Sequence, residues 1–389
     1  MADDKDLKVD LKIDGLSQAR LIRRGDHTEL YQATQRQFGR RVAVKVYTAD
    51  GVRDAALARF ERECRLMGEL SSHPNVVTYF ESGIRKRRPY VVSEWLDEGT
   101  YSAILKRGMR LDWMEAANVG IKVCGALESA HRMGLVHRKL KPEDLFVSAF
   151  GEPLIGDFQL DPSEGSRSGD MYDIMVHAAP ELFRGGEATP VVDVYALASV
   201  VFTLILGRPP FLAEPDEPLV RIKGRALASA PPDLRALGVP APLFAVLWWG
   251  VRPGPDDRPQ SAQIFGRALQ AALSAAGRGP ARMMVRPTTD ADRSLPEPTL
   301  PAVAVALLLT DTDFTPAPQT LAAPAPAPAP PALPPLPAAV REPEHPAAPE
   351  PAALPEPPAV ATPAPPAPSP APSPRPPPAP PLRPAFAPP

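Results

Sequence analysis

Apolar residues along the first hundred positions fall in short runs, and beyond Asp97 they recur at helical spacing. The first pattern predicts strands and the second predicts helices. Arg40-Arg41-Val42-Ala43-Val44-Lys45-Val46-Tyr47 reads as a strand. Val52–Leu70 reads as a helix with Ala56, Phe60, Cys64 and Met67 on one face. Two more strands follow, Val76–Ser82 and Pro89–Trp95, joined by the basic turn Arg85-Lys86-Arg87-Arg88, which reads as a solvated hairpin tip. Leu111–Met133 is a long helix. Val191–Leu206 is nearly all apolar and should be buried on every side. Residues 259–275 form a last amphipathic helix. The order predicts an α+β chain: a polar lead over 1–17, a small β-rich lobe over 18–96 and a larger helical lobe over 97–275.

Composition breaks near residue 276: 37 of the chain's 55 prolines fall between Ala276 and Pro389. Proline removes backbone donors, and few large apolar groups are left to build a core, so a disordered, polyproline-type tail is expected over 276–389. It reads first as a spacer, with a groove-type protein partner as the alternative. The net charge of −2 gives no electrostatic case for nucleic acid or an anionic membrane. Ala302–Leu309 is far too short to cross a bilayer, and the charged N-terminus has no secretory h-region. Cys64 and Cys124 have no metal-ligand spacing and read as reduced thiols.

The chemistry concentrates in Leu135-Val136-His137-Arg138-Lys139-Leu140-Lys141-Pro142-Glu143-Asp144 and in Gly156-Asp157-Phe158-Gln159. With Val42-Ala43-Val44-Lys45, Ala179-Pro180-Glu181, Asp193-Val194-Tyr195-Ala196-Leu197-Ala198 and Asp257-Arg258-Pro259, these stretches resemble, in order, the motifs of bacterial eukaryotic-like serine/threonine protein kinases. The resemblance covers about residues 18–275 and implies the two-lobed kinase fold, ATP and Mg²⁺. It places Lys45 on the nucleotide phosphates, held by Glu63, with Glu61 as the other candidate. It places Ile22 and Gly25 in the phosphate loop and Ser93, Glu94 and Leu96 at the adenine hinge. Leu30, Ala43 and Phe146 would sandwich the base. Asp144 and Asp157 would hold the metal, and Lys141 would meet the transferring phosphate. It also implies a brace from Asp193 to the catalytic loop, an Arg258–Glu181 pair, and a stack of Met67, Tyr79, His137 and Phe158 linking the lobes.

Several positions depart from the family pattern. Lys139 stands where the catalytic Asp is expected, Asp144 replaces Asn, and Gln159 replaces Gly. Arg23 and Thr28 replace loop glycines, and Ile174 replaces a Thr. An ammonium cannot accept the substrate hydroxyl's proton, and losing a general base costs roughly 10²–10⁴ in rate. Side chains at 23 and 28 hold the loop away from phosphates that backbone N–H groups would otherwise approach. The expectation is therefore a cytoplasmic pseudokinase that binds Mg·ATP weakly and works as a regulator or scaffold, its Pro-rich tail reaching a protein partner. Two alternatives stand: a working serine/threonine kinase with Asp144 as base, and a nucleotide-independent interaction module. Phosphorylation at Ser163, Ser166, Ser168 or Tyr172, received by Arg138, is a weaker expectation.

Overall fold

The computed structural model describes residues 8–9, 11–25, 27–48, 54–158, 172 and 175–286. The expected Pro/Ala-rich tail lies outside them from residue 287 on, as do Gln159, Ile174, Ser163, Ser166 and Ser168.

Strands β1 (Lys8–Val9), β2 (Leu16–Arg24), β3 (Thr28–Gln35), β4 (Arg40–Tyr47), β5 (Tyr79–Arg85) and β6 (Arg88–Glu94) form one antiparallel sheet in the order β1-β2-β3-β4-β6-β5. Val42 lies opposite Ala33, and Val44 lies opposite Tyr31 on one side and Val92 on the other. All five are buried, so this face carries the core of the small lobe. The sheet starts earlier than the polar composition of residues 1–17 predicted: Ile13 and Leu16 belong to that core, and β1 pairs with β2. Gly15, at φ +78°, makes the left-handed turn that tucks both apolar residues under the sheet.

Helix α1 (Asp54–Leu70) buries Ala56, Phe60, Met67 and Leu70, and the Phe60 ring meets Tyr47 edge-on at 5.7 Å. The following strands begin and end a little away from the expected bounds. Val76 and Val77 are not in β5; they bridge to Ile155 of the other lobe, with the Val77 N–H donating to its carbonyl at 3.0 Å. The basic hairpin turn has Lys86 and Arg87 both at positive φ, the backbone of a tight primed turn.

The larger lobe holds α2 (Tyr101–Lys106), α3 (Trp113–Arg132), the short hairpin β7 (Leu145–Val147) and β8 (Pro153–Ile155), α4 (Pro190–Leu206), α5 (Leu219–Ala228), α6 (Ala241–Gly250) and α7 (Ala262–Ala275). Asp112 caps α3 and forms a capping box with Glu115. Every residue of α4 from Val191 to Leu206 is buried, as its uninterrupted apolar run requires. Arg258 is fully buried and makes a two-pronged bond to Glu181 at 2.7 and 2.8 Å. Its remaining donors reach the carbonyls of Arg252 and Pro253. The packed chain does not stop at 275: residues 278–286 lie along α3 and α7, where Met283 is buried and Ala281 and Val285 pack on the core. Among the described residues no helix is long and apolar enough to cross a membrane.

His177 is buried beside α4, its Nδ1 2.9 Å from the Ser199 hydroxyl, and burial pushes its pKa down to about 4. A histidine depressed in the folded state binds fewer protons there than when unfolded. Its stability contribution is therefore complete above the unfolded value near ~6.5 and is lost as pH falls toward 4. From ~1.36 kcal/mol per unit, unfolding free energy should drop by about 2 kcal/mol more between pH 7 and pH 5 in the wild-type chain than in His177→Gln. Urea titrations of both proteins at the two pH values check this; equal pH slopes would refute it.

Candidate functional site

A cavity of about 490 Å³ lies between the sheet and the helical lobe. Its roof is the β2–β3 turn, where the Gly25 N–H donates to the Thr28 carbonyl at 2.8 Å. Arg23 and Thr28, the side chains standing in for loop glycines, line it. Its back wall carries Tyr79 and Phe158, and its outer edge is the stretch from Ser93 to Leu96. The Glu94 N–H donates to Thr78, completing the strand, whereas among the described residues the backbone N–H and C=O of Leu96 have no backbone partner. That edge offers a donor and an acceptor to a planar ring in the cavity. Leu30 and Ala43 line it from the sheet and Phe146 from β7, leaving a flat apolar slot between them.

The floor is the loop from His137 to Asp144. Asp193, fully buried on α4, accepts the backbone N–H groups of His137 and Arg138, each at 2.7 Å, and His131 Nε2 at 2.8 Å. Arg138 is thereby held at φ +72°, a conformation that is uncommon for a side-chain-bearing residue and needs such outside support. His137 is buried beneath the loop, 4.8 Å from the Phe158 ring, and its Nε2 bonds the Gly156 carbonyl at 3.0 Å. Burial lowers its pKa, so the ring is neutral and Nε2 is the donor. Met67, Tyr79 and Phe158 belong to one apolar cluster, and the Tyr79 hydroxyl accepts the Asp157 N–H at 3.2 Å.

The charged groups meet at Asp157. Lys45 forms an ion pair and hydrogen bond with its carboxylate, and the Tyr47 ring lies 5.6 Å from the same ammonium. Burial alone would raise the Asp157 pKa, but the charges of Lys45 and Lys139 and the bond from Lys45 hold it below the usual carboxylate range. Asp144 behaves oppositely. It is 2 % exposed, and burial followed by repulsion from Asp157 pushes its pKa well up, against the pull of Lys141, Lys139 and Lys45. The Lys141 N–H donates to its Oδ2 at 3.2 Å. Lys139, which the resemblance puts in place of the catalytic Asp, lines the same cavity, and its charge acts on both carboxyls.

Gly25, Leu30, Ala43, Lys45, Ser93, Glu94, Leu96, Lys139, Lys141, Asp144, Phe146 and Asp157 thus all border one cavity. Two expected residues do not. Ile22 sits at the β-bulge between Leu21 and Arg23, which turns Arg23 into the cavity in its place. Glu63 is not brought to Lys45: the ammonium is taken by Asp157, and the charges that act on Glu63 are Arg59, Arg138 and Arg62, opposing a rise caused first by burial. Asp97 was missed. It lines the cavity, accepts a two-pronged bond from Arg41 at 2.7 and 2.5 Å and accepts the Trp95 indole N–H at 3.0 Å. Its principal partner lies on a distant strand, so no local pattern announces it. Glu143 was also passed over; it borders the cavity, and the Ser102 hydroxyl donates to it at 2.5 Å.

Residues 16–232 match the family model described as "Protein kinase domain". The serine/threonine-protein kinase PknK of Mycobacterium tuberculosis is 34% identical over 260 residues, covering 66% of this chain and 23% of PknK. This chain therefore spans about a quarter of that relative's length. The probable serine/threonine-protein kinase PknB of Lactococcus lactis is 33% identical over 196 residues, 49% of this chain and 31% of that protein. Among solved structures, the kinase domain of Mycobacterium tuberculosis PknI superposes with a TM-score of 0.52 at 24% identity, over 69% of this chain and 98% of that domain, a likeness of fold.

Because Asp144 is costly to ionise where it lies, an amide should be tolerated better. A raised carboxyl pKa means the folded state binds the proton more tightly, so stability falls as pH rises above the unfolded value near ~3.9. Asp144→Asn should be more stable than wild type at pH 8, with the gap narrowing toward pH 5, as read by chemical unfolding. A variant less stable than wild type at both pH values would contradict the assignment.

Proposed function

The chain belongs to the protein kinase family, on its serine/threonine branch, and we propose that it is a pseudokinase: a nucleotide-binding member whose phosphoryl transfer is lost or strongly impaired and which acts as a regulator or scaffold. The observation that carries this reading is Lys139. It borders the cavity at the base position with its positive charge directed at Asp144 and Asp157. It can stabilise phosphate charge, but it cannot orient and deprotonate a hydroxyl while charged.

Nucleotide binding is supported by the apolar slot, the open backbone groups of Leu96, and the Lys45, Lys141 and Asp157 side chains below it. Arg23 and Thr28 in the roof argue that binding is weak. The donor set suits Mg²⁺. Asp144 and Asp157 are hard oxygen ligands in one cavity, and their mutual repulsion is what a divalent cation relieves. Among the described residues no group of three or more His, Cys, Asp or Glu could close a site without help. A cation here would draw its remaining donors from water and phosphate, the usual habit of Mg²⁺. We place the protein in the cytoplasm, with the Pro-rich segment as a tether to a protein partner.

One observation favours a working kinase instead. A carboxyl with a raised pKa is better matched to proton abstraction near neutral pH, and Asp144 is such a group.

Two measurements separate these readings. Millimolar Mg·ATP should raise the melting temperature slightly, Lys45→Met should abolish the rise, and omission of Mg²⁺ should shrink it. No shift for the wild-type chain would favour a nucleotide-independent module. Radiolabelled ATP should leave no phosphate on the protein or on a generic basic substrate, and Lys139→Asp alone should not bring activity to ordinary kinase levels. Incorporation by wild type that is lost in Lys45→Met would overturn the pseudokinase reading and turn attention to Asp144.

A further inference from the structure

The segment Gly279–Arg286 crosses the back of the molecule, away from the cavity. It is bonded along its length. The Ala281 N–H donates to Asn118 Oδ1 of α3, and Gln270 of α7 donates to the Ala281 carbonyl, both at 2.8 Å. The Arg286 N–H donates to the Ser129 hydroxyl of α3 at 2.8 Å, and the Arg286 guanidinium reaches the Glu69 carbonyl in the last turn of α1. His73, just past α1, bonds the Met284 carbonyl through Nε2 at 2.8 Å. Its Nδ1 accepts the Asn75 N–H at 3.1 Å, so Nε2 carries the proton and is the donor.

Two helix-interior glycines shape the bed. A Cβ on Gly125 of α3 would stand 2.1 Å from the Met284 carbonyl oxygen, and one on Gly266 of α7 would stand 2.4 Å from the Met283 sulfur. Glycine is a poor helix former, and here its missing side chain is what lets the segment lie down.

We propose that Gly279–Arg286 is an interlobe latch: it fixes the C-terminal end of α1, and so the helix that bears Glu63, to α3 and α7. The bonds at Glu69 and His73 tie it to the small lobe, and those at Asn118, Ser129 and Gln270 tie it to the large one. The chain continues from Arg286 into its Pro/Ala-rich portion, so a partner that engages that portion pulls on the latch first. The proposal is independent of nucleotide binding, and its test uses none.

In the full chain, Gly125→Ala should lift the latch without touching the cavity. Amide hydrogen exchange over 66–76 should then rise roughly tenfold or more, while α4 keeps its protection. Ala281→Pro, which deletes one donor and leaves both helices intact, should act in the same direction. A second comparison separates a latch from a damaged helix. In Met283→Asp, where a buried carboxylate already expels the segment, Gly125→Ala should raise the melting temperature; in the otherwise wild-type chain it should lower it. Unchanged exchange over 66–76 in both single variants would overturn the proposal. So would loss of protection spread through α4, or the same fall in melting temperature in both backgrounds.

Discussion

Asp193 holds the site together. A carboxylate with no exposure at all is tolerable only when its lone pairs are filled, and here two loop N–H groups and His131 fill them. Those bonds fix the backbone of His137 and Arg138. They thereby decide where Lys139, Lys141 and Asp144 emerge into the cavity. The brace depends in turn on α4 being buried on every side, because an exposed α4 would hydrate the carboxylate and weaken each bond. The apolar run of α4 and the charged chemistry of the loop are therefore one design. The helix supplies a dry, rigid post, and the loop hangs from it.

Within that frame the cleft gathers its charged side chains around two carboxyls, Asp144 and Asp157. Its charged groups act strongly on one another. Lys45 pairs with Asp157, the charge of Lys139 acts on both Asp157 and Asp144, and Asp144, buried and repelled by Asp157, holds a proton more tightly. Any nucleotide phosphate entering such a cleft must compete with Asp157 for Lys45. The Tyr47–Phe60 contact lies between the Lys45 strand and α1, while the charges acting on Glu63 are those of arginines on its own helix and on the loop. The position of α1 is thus a separate variable from the integrity of the floor. The segment along α3 and α7 bears on that variable, since it ends on the last turn of α1.

Much of this was legible in the chain. Apolar alternation around Val42 and Val44, the helical spacing of Phe60 and Met67, and the unbroken apolar run of Val191–Leu206 are local properties, each the work of a single element. The motif residues could be placed because the stretches that carry them resemble, in order, those of the kinase family; Lys45, Asp144 and Asp157 do border one cavity, and Asp193 does brace its floor. The Arg258–Glu181 pair was anticipated for the same reason.

Other features were decided only in three dimensions. Whether Lys45 meets Glu63 or Asp157 depends on the set of α1 against the sheet, and spacing along one helix carries no information about a rigid-body placement. Ile22 lost its place to Arg23 because a bulge shifts the strand register, and a one-residue shift turns a side chain to the other face. Asp97 gained its partner from a strand far earlier in the sequence. Residues 278–286 read as the beginning of a tail because they have neither helical nor strand period. They are ordered by bonds to side chains of other helices and by two glycines whose purpose shows only when the segment lies on them. Sequence determines what a segment can do with its neighbours in the chain; which distant surface it meets is settled by the packing of the whole.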